Sequence, residues 1–205
     1  YNGLFIDVDM INDLSSDLKN KLSKISKRIY HHSGREFNIN SPKQLSEVLF
    51  DDLQLKQIKK RSTASNVLHV LKKYHPIAEE LLEYRHLNKL VNTYLDTLPT
   101  FINSDTNRVH TTFNQAVVST GRLSSNKPNF QNIPIKTDIG KNIRKAFIPQ
   151  EDNHYIYSFD YSQIELRILT HFTNENELLK AFNNEEDIHL KTASLIFEID
   201  EDQVD

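Results

Sequence analysis

Cysteine is absent from the 205 residues, so the chain can form neither a disulfide framework nor a metal site with thiolate ligands. No apolar run approaches the length of a membrane-spanning helix, and no signal peptide is visible. The expectation is therefore a soluble cytoplasmic protein without a membrane partner. The length leaves room for one large domain or two small ones, with a substantial core.

Charge is distributed unevenly along the chain. Residues 1–150 contain 22 Lys and Arg against 14 Asp and Glu, a balance of +8, whereas residues 151–205 contain 3 against 14, a balance of −11. A basic first part and an acidic last part fit a protein that binds a polyanion with one region and cations with another. On charge alone, a solvated basic helical face followed by an acidic linker explains the pattern equally well.

Apolar periodicity predicts a helical first half. Asp7 is a candidate N-cap for a long helix whose apolar stripe includes Ile11 and Ile29 and which ends at Ser33–Gly34. The run Ser41-Pro-Lys-Gln predicts a capping box at the start of a short helix. A second long helix is predicted between Pro76 and Pro99. The two long helices, each with one apolar stripe, are expected to pack as an antiparallel pair.

The stretch from Lys56 to Ser65 is a basic loop that ends in hydroxyl side chains just before another predicted helix. Basic side chains, hydroxyls and free N–H groups at a helix start are the usual means of holding nucleic-acid phosphates. An ordinary capped loop is the alternative, and the residues alone do not separate the two.

After residue 100 the pattern changes. Residues Arg108–Val118 alternate apolar and polar side chains and predict a strand. The following stretch, Thr120–Lys145, is irregular, basic and rich in amide side chains, which is typical of a nucleic-acid groove. A plain surface loop is the alternative.

A short aromatic and β-branched run, Tyr155–Phe159, predicts a buried strand that ends on Asp160. Ser162, with Glu165 three residues later, predicts a capping box for a helix. The apolar residues of that helix recur at steps of four on one face, from Ile164 to Phe172. A carboxylate beside backbone N–H groups at such a junction can hold a divalent metal and a phosphate together. Two further helices are predicted, capped by Asn174 and by Asp187.

Two of these stretches resemble motifs of the family A DNA polymerases, the bacterial DNA polymerase I type. Asp160-Tyr-Ser-Gln-Ile-Glu-Leu-Arg is similar to motif A of that family, and Thr120-Gly-Arg-Leu-Ser-Ser with Pro128-Asn-Phe-Gln-Asn-Ile-Pro matches the family upstream, in the family's order. The resemblance implies an α+β fold with a helical thumb at residues 1–100, a first palm segment at 101–180 with a partial antiparallel sheet, and the start of the fingers at 181–205.

The resemblance also implies an activity, the template-dependent addition of deoxynucleotides to a primer 3′ end in DNA replication and repair. The implied partners are primer-template DNA and deoxynucleoside triphosphates in a nucleoid-associated protein, and no oligomer is expected. Two Mg²⁺ ions would be bound with Asp160 as the catalytic carboxylate and the backbone carbonyl of Tyr161 as a second donor. In the family, the glutamate at the position of Glu165 screens the sugar and favours deoxynucleotides.

The other implied roles are contacts to the nucleotide and to DNA. Arg122 matches the arginine that contacts the minor groove at the primer terminus, where acceptors occur in every base pair. Lys136 stands where some relatives have arginine, so it would lose bidentate phosphate geometry. The nucleotide-binding candidates are Ser162, Gln163, Ile164, Glu165, His189 and Lys136. The DNA-binding candidates are Arg122, Gln131, Asn132, Lys59, Lys60, Arg61, Ser62 and Thr63.

Two motifs of the family are missing from these 205 residues. Motif B, a fingers helix with an arginine, a lysine and a tyrosine that bind the incoming nucleotide, is absent, and so is motif C, a His-Asp-Glu turn with the second catalytic carboxylate. Because one carboxylate cannot organise a two-metal site, we predict that this chain alone does not extend a primer. The ending after Glu198 is expected to be a cut in the middle of a fold.

Three other functions are compatible with parts of the pattern. An aspartyl phosphatase usually has a second Asp two residues after the first, whereas position 162 is Ser. A nuclease of the RNase H type needs further carboxylates on neighbouring strands, which the sequence does not clearly offer. A non-catalytic DNA-binding or protein-binding module is the main alternative for the chain as it stands.

Overall fold

The structure is a computed structural model that describes residues 2–151 and 153–204, without the side chains of Leu195 and Glu201. The chain divides into two compact units, Tyr1–Ile156 and Tyr157–Asp205. Each unit is described by itself below. This division concerns packing, so the functional boundaries at residues 100 and 180 stay a prediction.

The elements of the first unit are, in chain order, β1 (Phe5–Ile6), α1 (Val8–Ser33), α2 (Pro42–Glu47), α3 (Ser65–Leu71), α4 (Ile77–Leu90), β2 (Thr112–Asn114), β3 (Ser124–Asn126), α5 (Asp138–Lys145) and β4 (Phe147–Ile148). Those of the second are α6 (Ile164–Thr173), α7 (Asn176–Asn183) and α8 (Ile188–Phe197). Short π-helical segments follow α2 (Val48–Asp52) and α4 (Val91–Leu95), and 3₁₀ turns lie at Leu98–Phe101 and Glu201–Gln203.

Helix α1 begins and ends where the sequence predicts. The Asp7 carboxylate accepts the N–H of Met10 at 2.9 Å, which satisfies one of the free donors of the first turn. Gly34 follows the helix at φ +71°, a left-handed conformation that glycine adopts without strain. The short helix α2 likewise begins after Ser41, with proline at its first position.

Helices α1 and α4 form the predicted antiparallel pair. Near the end of α1, Arg28 contacts Glu80 in the first turn of α4 at 2.7 Å. Nearer the start of α1, Lys19 contacts Asp96, beyond the end of α4, at 2.8 Å. The predicted end of the second helix at Pro99 is late, because the α-helix stops at Leu90 and passes through a π-helical segment into a 3₁₀ turn that contains this proline.

The core of the first unit is continuous from the helices into the residues after 100. Ile11 and Ile29 of α1 and Leu81 of α4 are fully buried, and Val109 and Ile143 belong to the same apolar cluster. The predicted apolar stripe of α1 therefore faces inward. Tyr94, in the π-helical segment after α4, is buried in the core as well.

Two small antiparallel sheets complete this unit, and the α+β class is confirmed. Strand β1 pairs with β4, with Phe5 opposite Ile148, and β2 pairs with β3, with Phe113 opposite Ser125. The predicted strand Arg108–Val118 is wrong in extent, since only Thr112–Asn114 is a strand and Val109 forms isolated bridges. The pairing stops at Asn126 because Lys127 has a left-handed backbone at φ +52° and Pro128 has no N–H to donate.

The predicted buried strand Tyr155–Phe159 is not a strand. Residues 155–161 form no β-ladder among the described residues, and the Phe159 side chain is 90% exposed. A strand needs a hydrogen-bonded neighbour and a covered face, whereas the two sheets that the structure describes are formed by other segments. The composition of this segment predicts a strand, but the described residues provide no neighbouring strand for it to pair with.

The predicted capping box of Ser162 and Glu165 is also wrong. Gln163, at φ +53°, is the residue before α6, and no side chain caps that helix. Ser162 lies one residue too early to cap it, and its carbonyl accepts the Arg167 Nε–H at 2.9 Å. The helix itself is present, but its predicted apolar face is solvent-exposed.

The caps of the last two helices are predicted with mixed success. Asp187 accepts the N–H groups of His189 and Leu190 at 2.8 and 3.2 Å and caps α8 as expected. Glu175, one residue after the predicted Asn174, caps α7. Asn174 instead ends α6 in the left-handed conformation that asparagine tolerates.

None of the helices in the described ranges combines the length and apolarity that a bilayer-spanning segment requires.

Candidate functional site

The candidate residues fall on the two units separately. The first unit carries the DNA-binding candidates, namely Lys59, Lys60, Arg61, Ser62, Thr63, Arg122, Gln131 and Asn132, together with Lys136. The second carries Asp160, Tyr161, Ser162, Gln163, Ile164, Glu165 and His189. The contacts that position each group therefore lie within its own unit.

Residues 59–63 of the basic loop, which lies in the first unit, are anchored through Arg61. Its guanidinium donates to both carboxylate oxygens of Asp51, at 2.6 and 2.5 Å, and lies 5.9 Å from the centre of the Phe50 ring. The hydrogen bond from Arg61 holds the pKa of Asp51 below its usual range. The Ser46 hydroxyl also donates to the Arg61 carbonyl at 3.1 Å. Arg61 thus forms a salt bridge with Asp51 within its own unit.

A second anchor, which sequence reasoning missed, holds Thr63. Arg85 on α4 donates from Nη1 to the Thr63 carbonyl at 2.5 Å and from Nη2 to the Thr63 hydroxyl at 3.3 Å. Thr63 is buried and Arg85 is half-buried, and burial lowers the pKa of the Arg85 guanidinium. Nothing in the local sequence distinguishes Arg85 from the other charged residues of its helix, because the contact spans 22 residues along the chain.

The lysines of the same loop are presented to solvent. Lys59 and Lys60 are exposed, and Lys60 has a left-handed backbone at φ +46°. The Ser62 hydroxyl accepts the Ala64 N–H at 3.3 Å, just before α3 begins. The loop therefore combines fixed residues at 61 and 63 with two exposed cationic side chains.

The segment after Arg122 is organised by amide side chains. Gln131 accepts the Ser125 N–H at 2.9 Å and donates to the Leu123 carbonyl at 3.1 Å, so both ends of its amide are used inside this segment. The main-chain carbonyl of Asn132 accepts a hydrogen bond from the Tyr94 hydroxyl. Arg122 itself is exposed, next to Gly121 at φ +78°. Gln131 and Asn132 thus shape the segment that carries Arg122.

Lys136 lies in a loop that is tied to α5. Arg144 of α5 donates to the carbonyls of Ile133 and Pro134 at 3.0 and 3.1 Å. Gly140 approaches Pro134 so closely that a Cβ at this position would lie 2.6 Å from the proline carbonyl oxygen. The Lys136 side chain is exposed beside these contacts.

In the second unit, Asp160 lies in an exposed irregular segment, and the turn at residues 162–163 follows it before α6. Tyr161 and Ser162 are exposed as well, and the turn is tied to the helix by Arg167 through the Ser162 carbonyl. The Arg167 guanidinium lies 4.4 Å from the centre of the Phe182 ring of α7, a cation–π distance. This arrangement leaves the Asp160 carboxylate accessible.

A recess of about 320 Å³ adjoins this turn. It is lined by Ser162, Gln163, Arg167, Phe182 and the acidic run Glu185–Asp187. Two nucleotide-binding candidates thus line a recess of the second unit, whereas Ile164, Glu165 and His189 are exposed outside this lining.

The residues around Asp160 do not make a complete metal site. Among the described residues, no three His, Asp or Glu side chains come together in a way that could hold a metal ion. Mg²⁺ prefers several oxygen ligands, and Asp160 supplies a single carboxylate. A single exposed carboxylate therefore does not amount to an independent magnesium centre.

Comparison with known proteins gives one consistent result. The family model described as DNA polymerase family A matches residues 8–205. DNA polymerase I of Bacillus caldotenax is 46% identical over 100% of this chain and 24% of that protein, and DNA polymerase I of Synechocystis sp. is 48% identical over 95% of this chain and 20% of that protein. The chain thus spans about a quarter or less of these curated relatives.

A solved structure matches the fold as well. It is described as the POL domain of Pol1 from M. smegmatis in complex with DNA primer-template and dNTP. The TM-score is 0.88 at 39% sequence identity, and the match covers 99% of this chain and 36% of that chain.

Proposed function

Because the chain belongs to DNA polymerase family A, we propose that it is the part of a DNA-directed DNA polymerase that grips primer-template DNA and carries one catalytic carboxylate. The observation that carries the proposal is the continuous match over residues 8–205, which includes the motif around Asp160. The similar solved structure, whose description names primer-template and dNTP, supports the choice of partners. Residues 1–100 are assigned to the thumb, 101–180 to the first palm segment and 181–205 to the start of the fingers. Bound to chromosomal DNA, the parent protein would be associated with the nucleoid.

DNA binding is assigned to the first unit. The exposed Lys59 and Lys60 reach backbone phosphates, while Arg122 enters the minor groove near the primer end. Arg61 is held by Asp51, so its share of the phosphate contact requires exchange of the carboxylate for a phosphate.

The grip is tested by measuring the affinity of the 205-residue chain for a labelled duplex with a recessed 3′ end over a range of salt concentrations. We expect steep salt dependence, and at least about tenfold weaker binding after Lys59→Glu with Lys60→Glu. The control is Lys21→Glu with Lys24→Glu on the exposed face of α1, which changes the net charge equally. Equal weakening by both pairs, or salt-insensitive binding by the wild type, would contradict the assignment.

Catalysis is assigned to the turn around Asp160. In the complete polymerase, Asp160 and the Tyr161 carbonyl are proposed as ligands in a two-magnesium site of the kind used for phosphoryl transfer. The deoxynucleotide is assigned to Ser162, Gln163, Ile164, Glu165, His189 and Lys136, with Glu165 excluding a 2′-hydroxyl.

The chain by itself is proposed to be inactive, because motifs B and C are missing from its sequence and Asp160 is a single carboxylate. The test is a primer-extension assay with Mg²⁺ and all four deoxynucleotides, with Asp160→Asn in the same chain as the matched control. We expect no product above the control. Extension that depends on Asp160 would show that the missing motifs are dispensable.

A further inference from the structure

Arg85 is unusual in its surroundings. Its guanidinium is half-buried on α4, yet the two hydrogen bonds described for it go to neutral oxygens, the carbonyl and the hydroxyl of Thr63. A half-buried cation whose described partners are all neutral loses hydration that these acceptors replace only in part. Packing alone would be served at least as well by an apolar side chain. Arginine is therefore favoured at this position by its geometry, because its planar guanidinium can donate to two oxygens of one residue at once.

Thr63, the residue that Arg85 binds, lies near the end of the basic loop. Thr63 is buried and directly precedes Ala64, the residue before α3. Two residues earlier, Arg61 is fixed by Asp51 and Ser46, which both precede the loop in the chain. The loop is thus held at alternate positions by two guanidinium groups, and Lys59 and Lys60 remain exposed.

We propose that Arg85 is a positioning residue, which acts through Thr63 to fix the backbone of residues 59–63 so that Lys59 and Lys60 meet adjacent phosphates of a DNA duplex. This inference rests on the proposed function, because it takes the loop to be a DNA contact. Its physical basis is preorganisation: a loop that is already ordered loses less conformational entropy when it binds. Arg85 itself need not touch DNA.

The experiment compares the wild-type chain with Arg85→Gln, Arg85→Lys and the control Arg28→Gln. Arg28 also lies on a long helix of this unit and is bonded to Glu80, so the control removes the same charge without touching the loop. Two quantities are measured well below the unfolding temperature: the affinity for a labelled duplex over a range of salt, and the rate of tryptic cleavage after Lys59, Lys60 and Arg61.

For Arg85→Gln we expect about tenfold weaker binding at 0.1 M salt and a salt slope shallower by about 2, because two phosphate contacts are lost. Cleavage of the loop by trypsin should become several-fold faster. Arg85→Lys keeps the charge but cannot bind both Thr63 oxygens, so it should also show faster cleavage and a shallower slope. Arg28→Gln should match the wild type in both measurements.

Other results would overturn the proposal. If Arg85 contacts phosphate directly, Arg85→Lys will keep the wild-type slope, Arg85→Gln will lose only about 1 from it, and cleavage will not change. If Arg85→Gln does not fold, Arg85→Lys still decides between the two outcomes. If the wild type does not bind duplex DNA, the proposed function fails, whereas the cleavage rates still report whether Arg85 holds the loop.

Discussion

Helix α1 in the first unit and helix α6 in the second both carry apolar residues on one face, but they bury them differently. Ile11 and Ile29 of α1 are fully buried against the rest of their unit. Ile168 of α6 is 48% exposed and Phe172 is 78% exposed. Among the described side chains of the second unit, only Thr170, Ala181 and Ile188 are buried.

The difference shows what periodicity does and does not predict. A repeat of three and four residues states which side chains share one face of a helix. Burial needs an opposing surface. Helix α4 provides one for α1, whereas the described residues of the second unit leave the apolar face of α6 exposed. The apolar pattern therefore predicts helix α6 correctly, but the apolar face of this helix is not buried in a core.

The largest expected effect is the removal of a core side chain. Leu81→Ala should lower the free energy of unfolding by about 2–5 kcal/mol, because Leu81 is fully buried and its loss leaves a cavity. The matched change in the second unit, Leu169→Ala, should lower it by less than about 1 kcal/mol, because Leu169 is 49% exposed. Urea unfolding followed by far-UV circular dichroism measures both. Similar losses at the two positions would mean that the face of α6 is covered in solution.

A smaller effect is expected from polar contacts that join different elements. Asp96 accepts hydrogen bonds from Ser15 at 2.6 Å and from Lys19 at 2.8 Å, and the bonds from Lys19 and then Ser15 lower its pKa. Asp96→Ala should lower the free energy of unfolding by about 1 kcal/mol, since it removes the acceptor for both donors.

The matched control for Asp96 lies in the second unit. Glu177 pairs with Lys180 within helix α7 at 2.9 Å, and both side chains are exposed. Glu177→Ala should leave the free energy of unfolding unchanged, because solvent screens such a pair. Urea unfolding measures this free energy for both variants. A shift as large as that of Asp96→Ala would show that the second unit depends on its surface charges.

The smallest effect is a dependence of the first unit on pH. Burial, and secondarily the nearby His32, lowers the pKa of His75. Because the unfolded chain then binds this proton more readily than the folded chain does, stability is complete above the ordinary histidine range and decreases as the pH falls through it. The His75→Asn variant should flatten this decrease in urea unfolding between about pH 7 and pH 5. An unchanged pH profile would assign the dependence to other groups.

Local signals account for the correct parts of the sequence-based prediction. Asp7, Ser41 and Asp187 cap helices because a short polar side chain binds N–H groups two or three residues away, which any chain with that spacing can form. Gly34 ends α1 for an equally local reason, its tolerance of positive φ.

The incorrect or missing parts had different causes, of which one is local and two involve residues that are distant along the chain. Tyr155–Phe159 has the composition of a core strand but has no place in the two described sheets. Ser162 has the spacing of a capping box, yet the left-handed Gln163 moves the helix start beyond it. The Arg85–Thr63 contact has no local signature at all, because its partners are far apart in sequence.

The sequence by itself determined the family, the helical first half and the identity of the motif around Asp160, because these depend on residue order and short-range spacing. Only the tertiary structure decided which apolar faces are buried, that Arg61 is bound by Asp51, and that Arg85 holds the end of the basic loop. The physical reason is that packing and hydrogen bonding join residues that are close in space, and their separation along the chain does not record this closeness.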